Sequence, residues 1–251
     1  MHILITNDDG VHAPGLLALK QGLEALGQIT VVAPARNQSA AGHRKTLHKP
    51  LRLEATCLAD GSPAWACSGA PSDAVALALL GFVKEKVDLV ISGINPHFNL
   101  AQDITYSGTV TAALEAVIAG VPGVAVSTEM RSPGDFAQAA QVAARVVRKI
   151  AEQGAPPGIV LNLNVPPGEI KGARITRQGQ RVYRDALVER RDPWGRPYYW
   201  IGGEMPTGVA EAGTDVGAVL NGLISITPLN LDLTAREVMP ALEGWGWSST
   251  D

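Results

Sequence analysis

Through its first two-thirds the chain alternates strand-length apolar runs with stretches of helical periodicity, and that alternation leaves few folds open. His2 to Thr6 reads as a strand, and Pro14 to Leu26 as a helix with leucines at 16, 19, 23 and 26. Ile29 to Ala33 is the next strand, closed by Pro34. After an irregular stretch, Ser72 to Val83 has helical spacing and Val87 to Ser92 reads as a buried strand. Thr109 to Ala119 then reads as a helix, Val124 to Ser127 as a strand, Asp135 to Glu152 as a helix and Ile159 to Leu163 as a strand. This order predicts an α/β sandwich of three layers, a mostly parallel sheet with helices on both faces and right-handed connections. The run Val87-Asp88-Leu89-Val90-Ile91 is nearly continuous in apolar residues, as a central parallel strand covered on both sides should be.

The pattern changes after Pro166-Pro167-Gly168. Arg174 to Gly203 is rich in Arg, Tyr and Trp, with Asp192-Pro193-Trp194-Gly195 as a turn between two extended arms. Leu223 to Thr227 resembles one more core strand, and the tail beyond Leu231 has no obvious partner in a compact core. The expected division is a core over residues 1–167 and a C-terminal extension over 168–251. The extension carries the hairpin, one strand returned to the core near 223–227 and a tail, and its expected role is self-association.

Composition excludes several classes. The 251 residues are 46% hydrophobic and 18% charged, an ordinary globular balance that argues against disorder. A net charge of -3 supplies no general field for a nucleic-acid polymer, so any phosphate site has to be built locally. The longest apolar run, Ala74 to Val83, is about half the ~20 residues of a spanning helix. Met1 leads straight into a strand without a basic leader. Cys57 and Cys67 have neither CxxC spacing nor a nearby His pair, which argues against zinc and for reduced thiols. The expectation is a soluble, cytoplasmic protein without a membrane partner.

In an open parallel sheet, ligands bind beyond the carboxyl ends of the strands. The first strand delivers Asn7-Asp8-Asp9-Gly10, the second leads into Asn37-Gln38-Ser39, and the strand ending near Ser92 delivers Gly93-Ile94-Asn95, with Asn99 and Asp103 beyond. The topology brings these distant clusters onto one rim. Adjacent Asp8 and Asp9 repel each other unless a cation sits beside them, and a hard divalent ion would take their oxygens together with neutral ones from Ser39 and Asn95. The competing role is a turn at Asp8 and a helix cap at Asp9. Ser107-Gly108-Thr109 opens a helix whose amide groups could hold an anion, while a plain Ser107 cap would look the same in sequence. Gly69-Ala70-Pro71-Ser72-Asp73 also opens a helix, and there capping is favoured. The arginines at 174, 177, 181, 184, 190, 191 and 196 alternate with Asp185, Glu189 and Asp192, which favours a solvated hairpin or subunit contact over polyanion binding. His43 and His97 fall on loops near the rim, where either could serve as a proton donor.

These residues resemble the SurE (survival protein E) family. The resemblance rests on Asn7-Asp8-Asp9-Gly10 with Ala13-Pro14-Gly15, Val31-Val32-Ala33-Pro34, Ser39-Ala40 and Ser92-Gly93-Ile94-Asn95. It continues through Tyr106-Ser107-Gly108-Thr109-Val110, Thr227-Pro228-Leu229 and Asp232-Leu233-Thr234, and so covers nearly the whole chain. It implies a Rossmann-like core, a C-terminal extension exchanged between subunits of a homodimer or homotetramer, and a 5′/3′-nucleotidase acting on nucleoside monophosphates, in some members also on short polyphosphate. It also implies one divalent metal, Mg²⁺ or Mn²⁺, held by residues matching Asp8, Asp9, Ser39 and Asn95. Two departures stand out: Asn95-Pro96-His97-Phe98-Asn99 where many relatives read Asn-x-Gly-x-Asn, and Ala70 where a Thr is usual.

The expected catalytic residues are Asp8, Asp9 and Asn95, with Asn7, Asn99, Ser107, Gly108 and Thr109 on the phosphate and Asp8 as acceptor of the attacking water's proton. An aspartyl-phosphate mechanism fits poorly, because adjacent aspartates point in different directions. A metal- and nucleotide-binding sensor without turnover would use the same donors.

Overall fold

The computed structural model describes residues 1–204 and 206–246. In the first half, β1 (His2–Thr6), α1 (Pro14–Leu23) and β2 (Gln28–Pro34) are followed by β3 (Leu53–Cys57), β4 (Pro63–Cys67) and α2 (Pro71–Leu77). Next come β5 (Leu89–Asn95), α3 (Gly108–Ile118), β6 (Gly123–Thr128), α4 (Pro133–Gln153) and β7 (Ile159–Val165). The remainder holds β8 (Ala173–Ile175), β9 (Arg181–Val182), β10 (Asp185–Arg191), β11 (Pro197–Gly203) and β12 (Thr207–Gly208). It ends with α5 (Asp215–Leu220), β13 (Ile224–Asn230) and α6 (Met239–Glu243).

One sheet runs in the order β3-β4-β2-β1-β5-β6-β7-β13-β8. Strands β4 to β7 are mutually parallel, and antiparallel β3 and β13 flank them. The strand order reverses between β1 and β5, because β1 is succeeded on one side by β2 and on the other by the later strands. Helices α1 and α4 pack on one face, over Ile3, Ile5, Ile91 and Val126. Helices α2 and α3 cover the other face, over Leu4, Val32 and Val90. The alternation of Ile3, Leu4 and Ile5 between the two clusters follows from the strand's period of two. The expected α/β three-layer sandwich is therefore present.

Two glycines permit close approaches that no side chain could share. A Cβ at Gly15, at the start of α1, would lie 2.1 Å from the Ile94 carbonyl oxygen. That proximity seats α1 against the end of β5. A Cβ at Gly108 would lie 2.7 Å from the Cβ of Asp8.

Several details differ from the sequence-based expectations. The stretch read as irregular contains the β3–β4 hairpin, which adds to the sheet edge beside β2. The helix expected over Ser72–Val83 starts at Pro71 and widens after Leu77 into a π-helical turn, with Gly81 at φ 114. β13 arrives antiparallel to β7, and β8 joins it on the far side. The β10–β11 arms form the expected hairpin, paired from Asp185↔Gly203 to Arg191↔Pro197. Tail residues 247–251, part of the segment expected to exchange between subunits, lie outside the described residues, as does Met205. Among the described residues no helix is long and apolar enough to cross a membrane.

Candidate active site

Asp8 and Asp9 leave the end of β1, Asn95 closes β5, and the reversal of strand order lies between these two strands. The crevice there is where a doubly wound sheet takes its ligand. A cleft of about 280 Å³ is lined by Asp8, Asp9, Ser39, Asn95, His97 and Asn99, and further by Asp103, Tyr106, Ser107 and Arg181. The three clusters placed at strand ends thus meet around one cleft, joined by Arg181.

The turn after β1 is shaped by Asn7. It is fully buried, its Nδ2 donates to the Gly10 carbonyl at 3.0 Å and its Oδ1 accepts from Gly10 N–H at 3.2 Å. Where the sequence placed a phosphate contact at Asn7, the structure engages its amide in this turn, and Asn7 is not among the residues lining the cleft. The loop after β2 is tied to the same turn, since Gln38 N–H donates to the Asp8 carbonyl and Ser39 N–H to the Asn37 side chain. Ala40, beside Ser39, sits at φ 57, a conformation disfavoured for a residue with a Cβ and found where surrounding contacts hold it.

Asp8 is buried at the N-terminus of α3. Thr109, itself fully buried, donates its hydroxyl to Asp8 Oδ1 at 2.5 Å, and Gly108 brings the backbone against the carboxylate. Burial pushes the Asp8 carboxyl up, while Thr109 and the amides of Asp8, Thr109 and Gly108 pull it back toward the anion. The positive end of α3 is thus turned on a protein carboxylate. The hydroxyl expected from Thr109 for a phosphate is already donated to Asp8. Ser107 caps α3 by accepting Val110 N–H at 3.1 Å, so the capping role read beside the anion-site role is real. Ser107 also lines the cleft.

Asp9 is less enclosed. Its carboxyl is pushed up to about 6, first by burial and then by the charge of Asp8, with His97 opposing both. Two neighbouring carboxylates, both pushed upward, mark a site short of positive charge. A register shift against β6 between Ser92 and Asn95 bends the end of β5. Asn95 there donates its Nδ2 to the His97 carbonyl at 2.6 Å, which leaves Oδ1 available to the cleft. Asp8, Asp9, Ser39 and Asn95 together supply only oxygens, a set suited to a hard divalent ion. Among the described residues no group of three His, Cys, Asp or Glu could hold a metal, which leaves neutral oxygens to complete any coordination.

Asn99 is locked into place. Its N–H donates to Asn164 Oδ1, its carbonyl accepts from Asn162 and Asn164, and its Nδ2 donates to Ser127 at 2.8 Å. Asn162 and Asn164 were not singled out from the sequence; the signal was two amides at alternate positions of a buried strand. His43 is not at the cleft but pairs with buried Glu115 of α3 at 2.9 Å, as does Lys45. His97 does line the cleft and contacts Glu129 at 3.2 Å. The Gly69–Asp73 segment is a cap, as favoured: Asp73 accepts from Ala70 N–H and from both the amide and hydroxyl of Thr46.

The cleft also holds a residue that sequence reasoning grouped with the solvated arginines. Arg181, on β9, donates through Nε to Asp103 at 2.6 Å, and the Tyr183 hydroxyl donates to the other oxygen of the same carboxylate at 2.6 Å. Burial and Asp103 push the Tyr183 phenol up to about 12, so it is a proton donor throughout the physiological range. The segment carrying Asp103 is held by the extension: Asp215 accepts from Ala101 N–H, Gln178 donates to the Ala101 carbonyl, and Gln102 accepts from Arg181 N–H. Ala101 is kept at φ 50 by these contacts.

Fold and cleft together define a Rossmann-like α/β protein with a carboxylate-bearing site at its topological switch point. Residues 3–185 match the family described as Survival protein SurE. The chain belongs to the SurE family. It is 51% identical to the 5′-nucleotidase SurE of Herpetosiphon aurantiacus, over 99% of this chain and all of that one. It is likewise 51% identical to the 5′-nucleotidase SurE of Chloroflexus aggregans, over 98% of this chain and all of that one. Among solved structures, the SurE protein from Aquifex aeolicus superposes with a TM-score of 0.82 at 40% identity, covering 98% of this chain and 99% of that one.

Proposed function

We propose that this protein is a metal-dependent phosphomonoesterase that hydrolyses nucleoside 5′-monophosphates, and 3′-monophosphates beside them, to nucleoside and phosphate. The observation that carries this reading is the meeting of Asp8, Asp9, Ser39 and Asn95 around one cleft at the switch point of the sheet. The names of the full-length relatives, 5′-nucleotidase SurE, support the reaction class. Mg²⁺ or Mn²⁺, one per subunit, would be held by those four side chains and when bound supplies Lewis acidity and an activated water.

The chain's own residues do the rest. Asp8, fixed by Thr109 and the α3 amides, is the anchored ligand. With Oδ1 already accepting from Thr109 and the carboxylate set against Gly108, it has little room to receive a proton from water. Asp9, which lines the cleft and accepts from Asn37 at 3.5 Å, is better placed to take the attacking water's proton on a carboxylate oxygen. Ser107 offers its hydroxyl to an equatorial phosphate oxygen, and the locked Asn99 closes that wall. Short polyphosphate would use the same donors.

The exposed side chains of the β10–β11 hairpin, Leu187, Trp200 and Ile201 among them, form the surface for a homodimer or homotetramer. A cytoplasmic location accords with the free thiols of Cys57 and Cys67.

The test is release of phosphate from 5′-AMP, 3′-AMP and tripolyphosphate by chelator-stripped protein before and after Mn²⁺ or Mg²⁺ is restored. Recovery of turnover in the native protein, absent in Asp8→Asn, is the expected result. Nucleotide binding without turnover under any metal would instead identify a sensor.

A further inference from the structure

Among the described residues lining the cleft, the charged groups are Asp8, Asp9 and Asp103 on one side of the ledger and Arg181 on the other, with His97 the remaining titratable base. A divalent ion would balance Asp8 and Asp9. A phosphate dianion would still meet Asp103, and Arg181 is the lysine or arginine side chain at hand to receive it.

The guanidinium is restrained rather than loose. It is only 18% exposed and its Nε is engaged by Asp103. Nη1 reaches the Pro206 carbonyl at 3.3 Å, and its backbone N–H is held by Gln102 at 2.8 Å. Asp103 is held from its other oxygen by Tyr183. These contacts leave the Nη2 amino group without a protein partner among the described residues. The neighbouring arginines of the extension behave differently: Arg177, Arg184, Arg191 and Arg196 make exposed ion pairs away from the cleft. A buttressed guanidinium that retains free N–H groups and lines the same cleft as Asp8 and Asp9 is suited to phosphate, whose oxygens accept its planar fork.

We infer that Arg181, delivered from the C-terminal extension, binds the phosphate of the substrate in this cleft, held at its station by Asp103 and Tyr183. The inference rests on the proposed phosphatase reading and extends it: the last third of the chain then supplies a substrate-binding side chain, and the phosphate is gripped between the metal ligands and the extension. Arg181 adds a contact to the phosphate itself and none to the base or sugar, so it serves every phosphomonoester the cleft accepts.

The experiment compares native protein with Arg181→Ala and Arg181→Lys. Binding of inorganic phosphate to the Mn²⁺-loaded protein is measured by calorimetry, Mn²⁺ affinity without phosphate by electron paramagnetic resonance, and kcat and KM with 5′-AMP. In Arg181→Ala, phosphate affinity should fall roughly tenfold or more and kcat/KM about 10²-fold, the scale of one lost oxyanion donor. Mn²⁺ affinity should hold, Arg181→Lys should recover part of the phosphate affinity, and free guanidinium should restore part of the turnover of the alanine variant. Arg181→Gln, which keeps a donor toward Asp103 without the charge, carries the same comparison if the alanine variant does not fold. Phosphate affinity and kcat/KM unchanged in the variants would overturn the assignment, and so would a loss of Mn²⁺ affinity in step with phosphate that lysine does not repair. Native protein that neither binds nor releases phosphate with any metal would overturn the phosphatase reading as well, an outcome distinct from both.

Discussion

Gly108→Ala separates the stability of this protein from its activity. The added methyl would stand 2.7 Å from Asp8 Cβ and 2.9 Å from Asp8 Oδ2, so something has to move by about 1 Å. The α3 backbone is fixed by the Ser107 cap and the Gly42-to-Thr111 contact, which makes Asp8 the part that yields. Gly108 has an ordinary helical backbone, so alanine brings no conformational strain and a helix-propensity gain of up to about 1 kcal/mol. Overpacking against Asp8 costs roughly 1–3 kcal/mol, for a net loss of about 0–3 kcal/mol once the helix gain is counted. For a chain of this size that is a fall in Tm of no more than about 12 °C. Activity should suffer far more, because a displacement of about 1 Å in a catalytic group can cost 10²-fold. The assay is calorimetric unfolding beside kcat/KM and Mn²⁺ affinity. Gly134→Ala is the control, since its methyl would meet nothing nearer than Ser132 Oγ at 3.6 Å. A Gly108→Ala protein with native Mn²⁺ affinity and kcat/KM within about threefold of native would refute the claim that Asp8 has to rest against Gly108.

Further outcomes follow from the same geometry. Thr109→Val, nearly isosteric and fully buried, removes the donor to Asp8 Oδ1 and should cost about 10–100-fold in metal affinity or turnover, read by titration with Mn²⁺; a loss confined to Tm would contradict it. Because the metal-free Asp9 carboxyl titrates near 6, protons compete with the cation below that pH, so apparent Mn²⁺ affinity should be about tenfold weaker at pH 5 than at pH 7; a flat profile in calorimetry would be inconsistent with Asp9 as a ligand. Replacing both Leu187 and Ile201, an exposed cross-strand pair, by serine should shift sedimentation toward a smaller species while leaving the core fold intact by circular dichroism; an unchanged sedimentation coefficient would remove the hairpin from the assembly surface.

Where long periodic segments met strand ends, the sequence was sufficient. The strands leading to Asp8 and Asn95 are buried, mostly apolar runs with polar residues at or just past their ends, and a parallel sheet puts such ends on one rim. Short or edge elements escaped. Leu53–Cys57 and Pro63–Cys67 are partly exposed and contain Glu54, Thr56 and Pro63, so no clean alternation announces them. The three residues of β8 and the six of α5 are too short for a periodic signal. Side-chain commitments were also hidden. Asn7 and Thr109 carry groups that could face substrate or protein equally well, and only the tertiary placement of Gly10 and Asp8 decides between them. Arg181 was submerged in a run of arginines because charge patterning does not reveal which member meets Asp103.

The clamp that Gln178, Arg181 and Asp215 place on the segment from Ala101 to Asp103 orders the protein in time as well as in space. A ribosome issues Asp8 and Asp9 first, yet the residues that hold the opposite wall begin to emerge about 170 positions later, roughly 10–30 s at ordinary elongation rates. During that interval a nascent chain carries the paired acids without their finished surroundings, and Ala101 has nothing to hold it in its disfavoured conformation. The site is therefore completed only when synthesis has passed Asp215, and a chain ended before that residue lacks part of the clamp on the cleft wall.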